Sequence, residues 1–425
     1  MPSSDGVPPP RQDFGRSVPS AELIIFPAVP FRILHSIRSV NPVGGGPIEG
    51  LKQLAAVNQG QGHSVEVVSL DDPDDEWVRA CPVKCHALGP AWLEYGYSPR
   101  LVPWLRENRH RYDMVIVNGM WQYSTFGIWR ALHRTPTPYL VFTHGMLDPW
   151  FKREYPLKHL KKWCYWPWAD YRVLRDATAV LFTCEEERRL ARQSFWLYRC
   201  DEFVANYGTA APPGDSDRQS RVFLERFPQL QGKRCLLFLG RVHVKKGPDL
   251  LLRALAEVLK SRPPSTVADI RLVMAGPNDD DFGRKMAALA QELGLADRVV
   301  WTGMLTGDMK WGAFRVAEAF VLPSHQENFG IAVAEALACR VPVLISSQVN
   351  IWREISQDRA GYVSTDDLPG TIRLLEQWLD TPADEWSEMR GRAEACFTRR
   401  FHVESAAQAL VRALEIFGLQ SRRIK

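Results

Sequence analysis

Little in this chain of 425 residues provides for covalent bracing or membrane spanning. It has only eight cysteines, no long apolar run, and no excess of either sign of charge. Cysteines this sparse and scattered exclude a disulfide framework, which needs a short, Cys-dense chain. The closest pair, Cys81 and Cys85 followed by His86, has no second ligand cluster at a zinc-like distance, so we expect an ordinary loop there and no metal. A bilayer-crossing helix takes about 20 apolar residues. The most apolar N-terminal stretch, Leu23 to Phe31, is broken by Pro27 and Pro30 and ends at Arg32. Lys plus Arg is 53 and Asp plus Glu is 49, a net charge of +4, which excludes a general nucleic-acid binder with a domain-wide basic stripe. Residues 1–22 are polar and rich in Pro and Ser, read here as a disordered tail without the order of segments a signal peptide requires. The compartment expected is reducing and cytoplasmic.

What is present is ordinary globular material, 45% apolar and 24% charged, enough for two or three folded units. Short, continuously apolar runs suited to strands buried on both faces recur at 31–36, 64–69, 114–118, 139–143 and 179–183. Segments long enough for crossover helices, such as 48–58 and 126–132, separate several of them, as parallel strands demand. After Asn206-Tyr207-Gly208 and the linker signal Pro212-Pro213-Gly214 the pattern restarts, with strands expected at 235–239, 271–274, 299–302, 319–322, 341–345 and 362–364. The fold class expected is α/β, two Rossmann-like doubly wound domains facing across a cleft. The boundaries read as 23–206 for an N-terminal Rossmann-like domain, 207–400 for a C-terminal Rossmann-like domain, and 401–425 for a C-terminal helix and basic tail.

Two motifs fall at the carboxyl edge of the second set of strands. Glu327-Asn328-Phe329-Gly330 follows a strand and a Pro323-Ser324 break, and Glu335 lies eight residues after Glu327, about two turns into the expected helix. Two carboxylates so far apart suit two parts of one elongated ligand rather than a close acid/base couple. Gly330 at a helix start lets the backbone approach an anion. Ala334, Ala336 and Leu337 surround Glu335, so its carboxylate needs a partner. The second motif, Gly240-Arg241…Lys245-Lys246-Gly247, sets a planar fork and a point charge on one turn, a pair suited to adjacent phosphates. The Gly-x4-Gly-Lys-Ser/Thr spacing of a P-loop is absent. In the first half, Gly44-Gly45-Gly46 links a strand to a helix, and Thr143-His144-Gly145 closes another strand.

Together these residues resemble a retaining glycosyltransferase of the GT-B fold, family 4 (group 1), from Phe31 to about Phe401. The resemblance implies that Arg241 and Lys246 bind the donor diphosphate, Glu327 the donor sugar hydroxyls and Glu335 the ribose. Asn328, Phe329, Gly330 and Gly276 join them as donor-binding positions, and Gly45, Gly46 and His144 line the facing wall, with His144 near the transferred sugar. It implies a nucleotide-diphosphate sugar as co-substrate, no cofactor and no metal, and a glycan or polyprenyl-linked acceptor in surface polysaccharide synthesis. The alternatives are a GT-B nucleotide-sugar epimerase and a non-catalytic scaffold subunit. Arg340 departs from the family, which carries glycine at that turn.

A further stretch, 150–175, interleaves aromatics with seven cations against Glu154 and Asp170. Trp150, Phe151, Lys158, Lys161, Lys162, Trp163 and Trp166 are its candidates for contact with an anionic membrane or a lipid-linked acceptor, which would place the chain on the inner face of the plasma membrane. An aromatic core helix pair with a basic outer face is the competing expectation.

Overall fold

The computed structural model describes residues 30–423; the expected tail at 1–22 lies outside them. Thirteen parallel strands form two sheets. The first comprises β1 (Arg32–Ser36), β2 (Ser64–Ser69), β3 (Lys84–Ala87), β4 (Met114–Asn118), β5 (Tyr139–Phe142), β6 (Ala179–Phe182) and β7 (Glu202–Val204). The second comprises β8 (Arg234–Leu239), β9 (Ile270–Ala275), β10 (Val299–Gly303), β11 (Ala317–Leu322), β12 (Val343–Ser346) and β13 (Gly361–Ser364). Central strands such as β4 (MVIVN) and β12 (VLIS) are buried at every residue, which is why their sequences are apolar without alternation.

The orders β3-β2-β1-β4-β5-β6-β7 and β10-β9-β8-β11-β12-β13 place one reversal in each sheet, between β1 and β4 and between β8 and β11. In open α/β sheets the crevice outside the carboxyl ends of the strands at such a reversal is the ligand site. The loops leaving these four strands carry Gly44–Gly46, Gly119, Gly240–Gly247 and Glu327–Gly330. Sheet order therefore delivers most of the motif residues to two crevices.

The chain crosses between the halves twice. Thr209 N donates to Phe401 O (2.9 Å) and Val403 N to Thr209 O (3.1 Å), so the two crossings are tied to each other. After the second crossing the last helix, Val403–Arg423, returns to the first half, where Ala407, Leu410, Ala413 and Leu414 join the core with Ile48, Leu51 and Ile116. Two edge strands escaped the sequence reading, β3 and β7. Cys85 and His86 sit on β3, not in a loop: Cys85 Sγ contacts Ser69 Oγ, and His86 Nε2 meets Glu66 Oε2 at 2.7 Å.

Candidate active site

The second-half crevice is built on two turns. After β8, Gly240 turns the chain outward, and Val244–Lys246 forms a short 3-10 helix ending at Gly247, whose φ of 62° is left-handed. A Cβ on Gly247 would stand 2.3 Å from Pro323 O, so glycine is required where this turn packs on the loop after β11. That packing brings the Lys246 ammonium into direct ion-pair contact with Glu327. Burial, then the positive charges of Lys245 and Arg241, press the Lys246 pKa down to about 7. Glu327 is the counter-charge in contact with it. The loop itself is pinned: Glu327 N donates to Gln348 O (2.9 Å) and Asn350 N to Glu327 O (3.0 Å).

Glu335 differs from expectation in one respect. The helix begins only at Ile331, after the left-handed Gly330 (φ 76°), so Glu335 is in its second turn, not two turns beyond the start. It is 6% exposed, and burial raises its pKa while Lys310 opposes the rise. Lys310, on the helix Gly307–Val316, meets Glu335 Oε1 at 2.5 Å. This is the partner that an apolar helix surround demanded, but no spacing in the sequence connects residues 310 and 335. Gly276 follows β9, and a Cβ there would lie 1.9 Å from Gly240 O, so glycine lets the loops after β8 and β9 close together. Arg340 has φ 63°, the left-handed geometry that the family's glycine adopts freely; the arginine bears it and pairs with Glu394 (3.5 Å).

Across the crevice stands the first-half wall. Asn118 Nδ2 donates to the carbonyls of Ser36 and Ile116 (3.3 Å each) and to His35 Nδ1 (3.2 Å), which turns its Oδ1 toward His144 Nε2 at 3.2 Å. His144 therefore carries its proton on Nε2 and leaves Nδ1 as an acceptor. Burial lowers its pKa to about 4, so the imidazole is neutral at physiological pH. The glycine loop approaches the second half directly: a Cβ on Gly46 would be 3.2 Å from Ile331 Cδ1, and Tyr207 OH donates to Gly46 O (2.9 Å). A cavity of about 680 Å³ lies along this wall, lined by Arg38, Asn41, Gly44, Asp71, Asn118 and His144 among others.

Two of the expected donor-binding residues also make contacts between the halves. Phe329 is buried with its ring between Tyr207 (5.2 Å) and Phe401 (5.7 Å), and Asn328 Nδ2 donates to Thr183 Oγ1 (3.2 Å). Tyr207, Asp148 and Gln326, which sequence reasoning missed, belong to the same seam; Gln326 Nε2 reaches Asp148 Oδ2 at 3.2 Å.

The 150–175 stretch divides. Trp166 is fully buried and stacks on Phe195 (4.4 Å), so it is core and cannot face a membrane. Trp150 and Phe151 are half-buried, with Lys245 Nζ over both rings (4.9 and 5.0 Å), and Lys162 is half-buried over Trp121 and Phe151. The outward face of the helix Pro156–Tyr165 keeps Lys158 and Lys161, with Leu157, Leu160 and a stacked Trp163–Trp196 pair. Among the described residues, no helix is long and apolar enough to cross a membrane.

The family description "Glycosyl transferase 4-like domain" matches residues 45–199, and "Glycosyl transferases group 1" matches residues 223–388. A D-inositol 3-phosphate glycosyltransferase of Streptomyces scabiei (strain 87.22) is 27% identical over 327 residues, covering 66% of this chain and 72% of that protein. Among solved structures, Anabaena Alr3699/HepE in complex with UDP and glucose superimposes with a TM-score of 0.70 at 17% identity, covering 91% of this chain and 100% of that one. WaaG, a glycosyltransferase involved in lipopolysaccharide biosynthesis, does so with a TM-score of 0.61 at 16% identity, covering 90% and 99%. At these identities the structural likenesses establish the fold.

Proposed function

This chain is a glycosyltransferase of the GT-B fold with a 4-like first half and a group 1 second half, and from that premise we propose that it moves a sugar from a nucleotide-diphosphate donor to a hydroxyl of a glycan or polyprenyl-linked acceptor, with retention of configuration. The contact of Lys246 with Glu327 at the β8–β11 reversal carries the reading. In this crevice the cation and the acid expected to hold the two ends of a sugar diphosphate hold each other. A donor inserts between them, its diphosphate taking Lys246 and Arg241 and its sugar hydroxyls taking Glu327.

As the sugar–phosphate bond breaks, negative charge gathers on the leaving diphosphate, and the two cations of this turn stabilise it more than they stabilise the intact donor. Glu335, steadied by Lys310, takes the ribose hydroxyls. In this scheme the diphosphate charge is met by side chains and no metal ion takes part. His144, neutral with Nδ1 free to accept, receives a hydrogen bond from the transferred sugar. Retention follows from attack on the face the diphosphate leaves, with a phosphate oxygen taking the acceptor's proton. Closure about the paired crossings excludes water that would otherwise consume the donor.

UDP is the donor nucleotide we favour, because the HepE structure is in complex with UDP. A thermal-shift panel of UDP, GDP and ADP tests this: UDP is expected to raise the melting temperature most, through ligand linkage. No stabilisation by any of the three would refute the reading.

The acceptor belongs at the first-half cavity, and we place it at the surface of an anionic leaflet on the cytoplasmic side, in polysaccharide assembly. Leu157 (82% exposed), Leu160 and the Trp163–Trp196 stack beside Lys158 and Lys161 supply the apolar and cationic elements of an interfacial helix. Flotation with vesicles containing anionic lipid is expected to recover the chain at low salt and to lose it at high salt. Leu160→Asp should abolish recovery; retention by that variant would remove this helix from the membrane contact.

A further inference from the structure

The turn that carries His144 is held by a carboxylate that the scheme above does not use. Glu187, on the helix Glu185–Ala191, is 3% exposed, and no ion pair to it occurs among the described residues. A buried carboxylate without a cation must be satisfied by hydrogen bonds. Oε1 accepts from Thr143 Oγ1 (2.7 Å) and Gly145 N (2.5 Å), and Oε2 from Thr183 N (2.7 Å) and Thr183 Oγ1 (2.6 Å). One side chain thus ties together the ends of β5 and β6, with His144 (φ 47°) suspended between two of its donors.

Thr183 Oγ1 is shared. While donating to Glu187 it accepts from Asn328 Nδ2 (3.2 Å), and Asn350 Nδ2 reaches Asn328 Oδ1 (3.4 Å), fixing which way that amide points. Gly145 (φ 74°) has no Cβ; one would lie 2.6 Å from Asn328 Cγ, so the two loops meet closely. Asn328 is the residue after Glu327. A continuous path therefore runs from the Lys246–Glu327 pair through Asn328, Thr183 and Glu187 to the His144 turn.

We propose that Thr183 and Glu187 are positioning residues that couple the donor loop to His144, so that occupation of the donor crevice sets the His144 turn for transfer. This rests on the glycosyltransferase reading. When a diphosphate draws Lys246 away from Glu327, the short Glu327–Gly330 loop adjusts, and Asn328 carries the change to Thr183 across the seam.

The test uses Thr183→Val, which keeps the branched shape and removes the shared hydroxyl, and Thr183→Ser, which restores it. The probe is whichever of UDP, GDP and ADP stabilises the full-length chain most, and the turnover assay is transfer from the matching sugar nucleotide to water. Thr183→Val is expected to bind the probe within about twofold of the unaltered chain and to keep KM, while kcat falls about tenfold or more. The probe should shift the His144 imidazole NMR signal in the unaltered chain and in Thr183→Ser but not in Thr183→Val. Unchanged kcat and an unchanged imidazole response in Thr183→Val overturn the coupling and leave the function standing. Failure of Thr183→Ser to restore either readout also overturns it. Failure of the unaltered chain to bind any of the three nucleotides overturns both.

Discussion

Lys246→Ala is expected to retain the fold and lose about 100-fold or more in transfer rate. The ammonium lies at the mouth of the crevice with its side chain 23% exposed, and Glu327, at 19%, regains water when its partner is removed, so neither truncation opens the core. The loss is chemical: a charge-assisted donor aimed at the departing diphosphate is worth about 3 kcal/mol of barrier, or roughly 100-fold in rate. Glu327→Ala should fall by a similar factor for a different reason, since the sugar is no longer oriented. Because the two residues touch, their effects should not add, and the double variant should lose much less than the product of the two. The pair also has a pH signature. Burial, then the charges of Lys245 and Arg241, bring the Lys246 pKa down to about 7. The diphosphate needs the protonated form, so nucleotide affinity should weaken as pH rises from 6 to 8, and Glu327→Ala, which removes a counter-charge, should move that fall to lower pH. Calorimetry at three pH values on both chains decides it. The same profile in both would show that the carboxylate does not help to hold the Lys246 proton.

How much of this was legible in the sequence follows from the range of each interaction. Strands buried on both faces announce themselves as continuous apolar runs, so the nine central strands were read within about two residues of their bounds, as were the second sheet's edge strands β10 (VVWTG) and β13 (GYVS). β3 (KCHA) and β7 (EFV) were not, because each is only three or four residues long and β3 carries a mixed, partly polar sequence that resembles a loop. The donor motifs were legible because each is contiguous: Gly240–Gly247 and Glu327–Gly330 are single turns whose chemistry is spelled in order. The seam was not. Nothing local marks Thr183 as a partner of Asn328, 145 positions later, or Lys310 as the partner of Glu335. Sequence could say that a buried Glu335 requires a cation, not which one. The aromatic stretch shows the same limit in reverse. Composition grouped Trp150, Lys162, Trp163 and Trp166 as one surface, but three-dimensional packing sends Trp166 to the core, Trp150 to Lys245, and only the Lys158, Lys161 and Trp163 face outward.

Lys310→Met is expected to cost more stability than any other substitution considered for this crevice, and to do so in a pH-dependent way. The methionine keeps the length of the stem and removes the charge, which leaves the Glu335 carboxylate buried without its partner. Breaking a buried pair costs about 3–5 kcal/mol; Lys310 is 25% exposed, so water offsets part of this and the lower end of the range applies. Burial already holds the Glu335 pKa above that of a free glutamate, with Lys310 restraining the rise. A carboxyl with a raised folded-state pKa costs stability wherever it must ionise, and that cost disappears as pH falls through the folded-state value. Removing Lys310 raises the pKa further, so the deficit of Lys310→Met should be greatest at pH 8 and shrink toward pH 5, where protonation neutralises the buried group. Urea denaturation at the two pH values measures it. Adding Glu335→Gln should recover most of the loss at pH 8, because the amide carries no charge to strand, while nucleotide affinity stays low in the double variant since the ribose hydroxyls have exchanged a charged, two-oxygen acceptor for a single neutral one. A deficit equal at both pH values would instead assign the role of Lys310 to packing of its stem on Trp311, over whose ring its Nζ sits at 4.7 Å, and would leave Glu335 without the electrostatic dependence on which its place in the donor site rests.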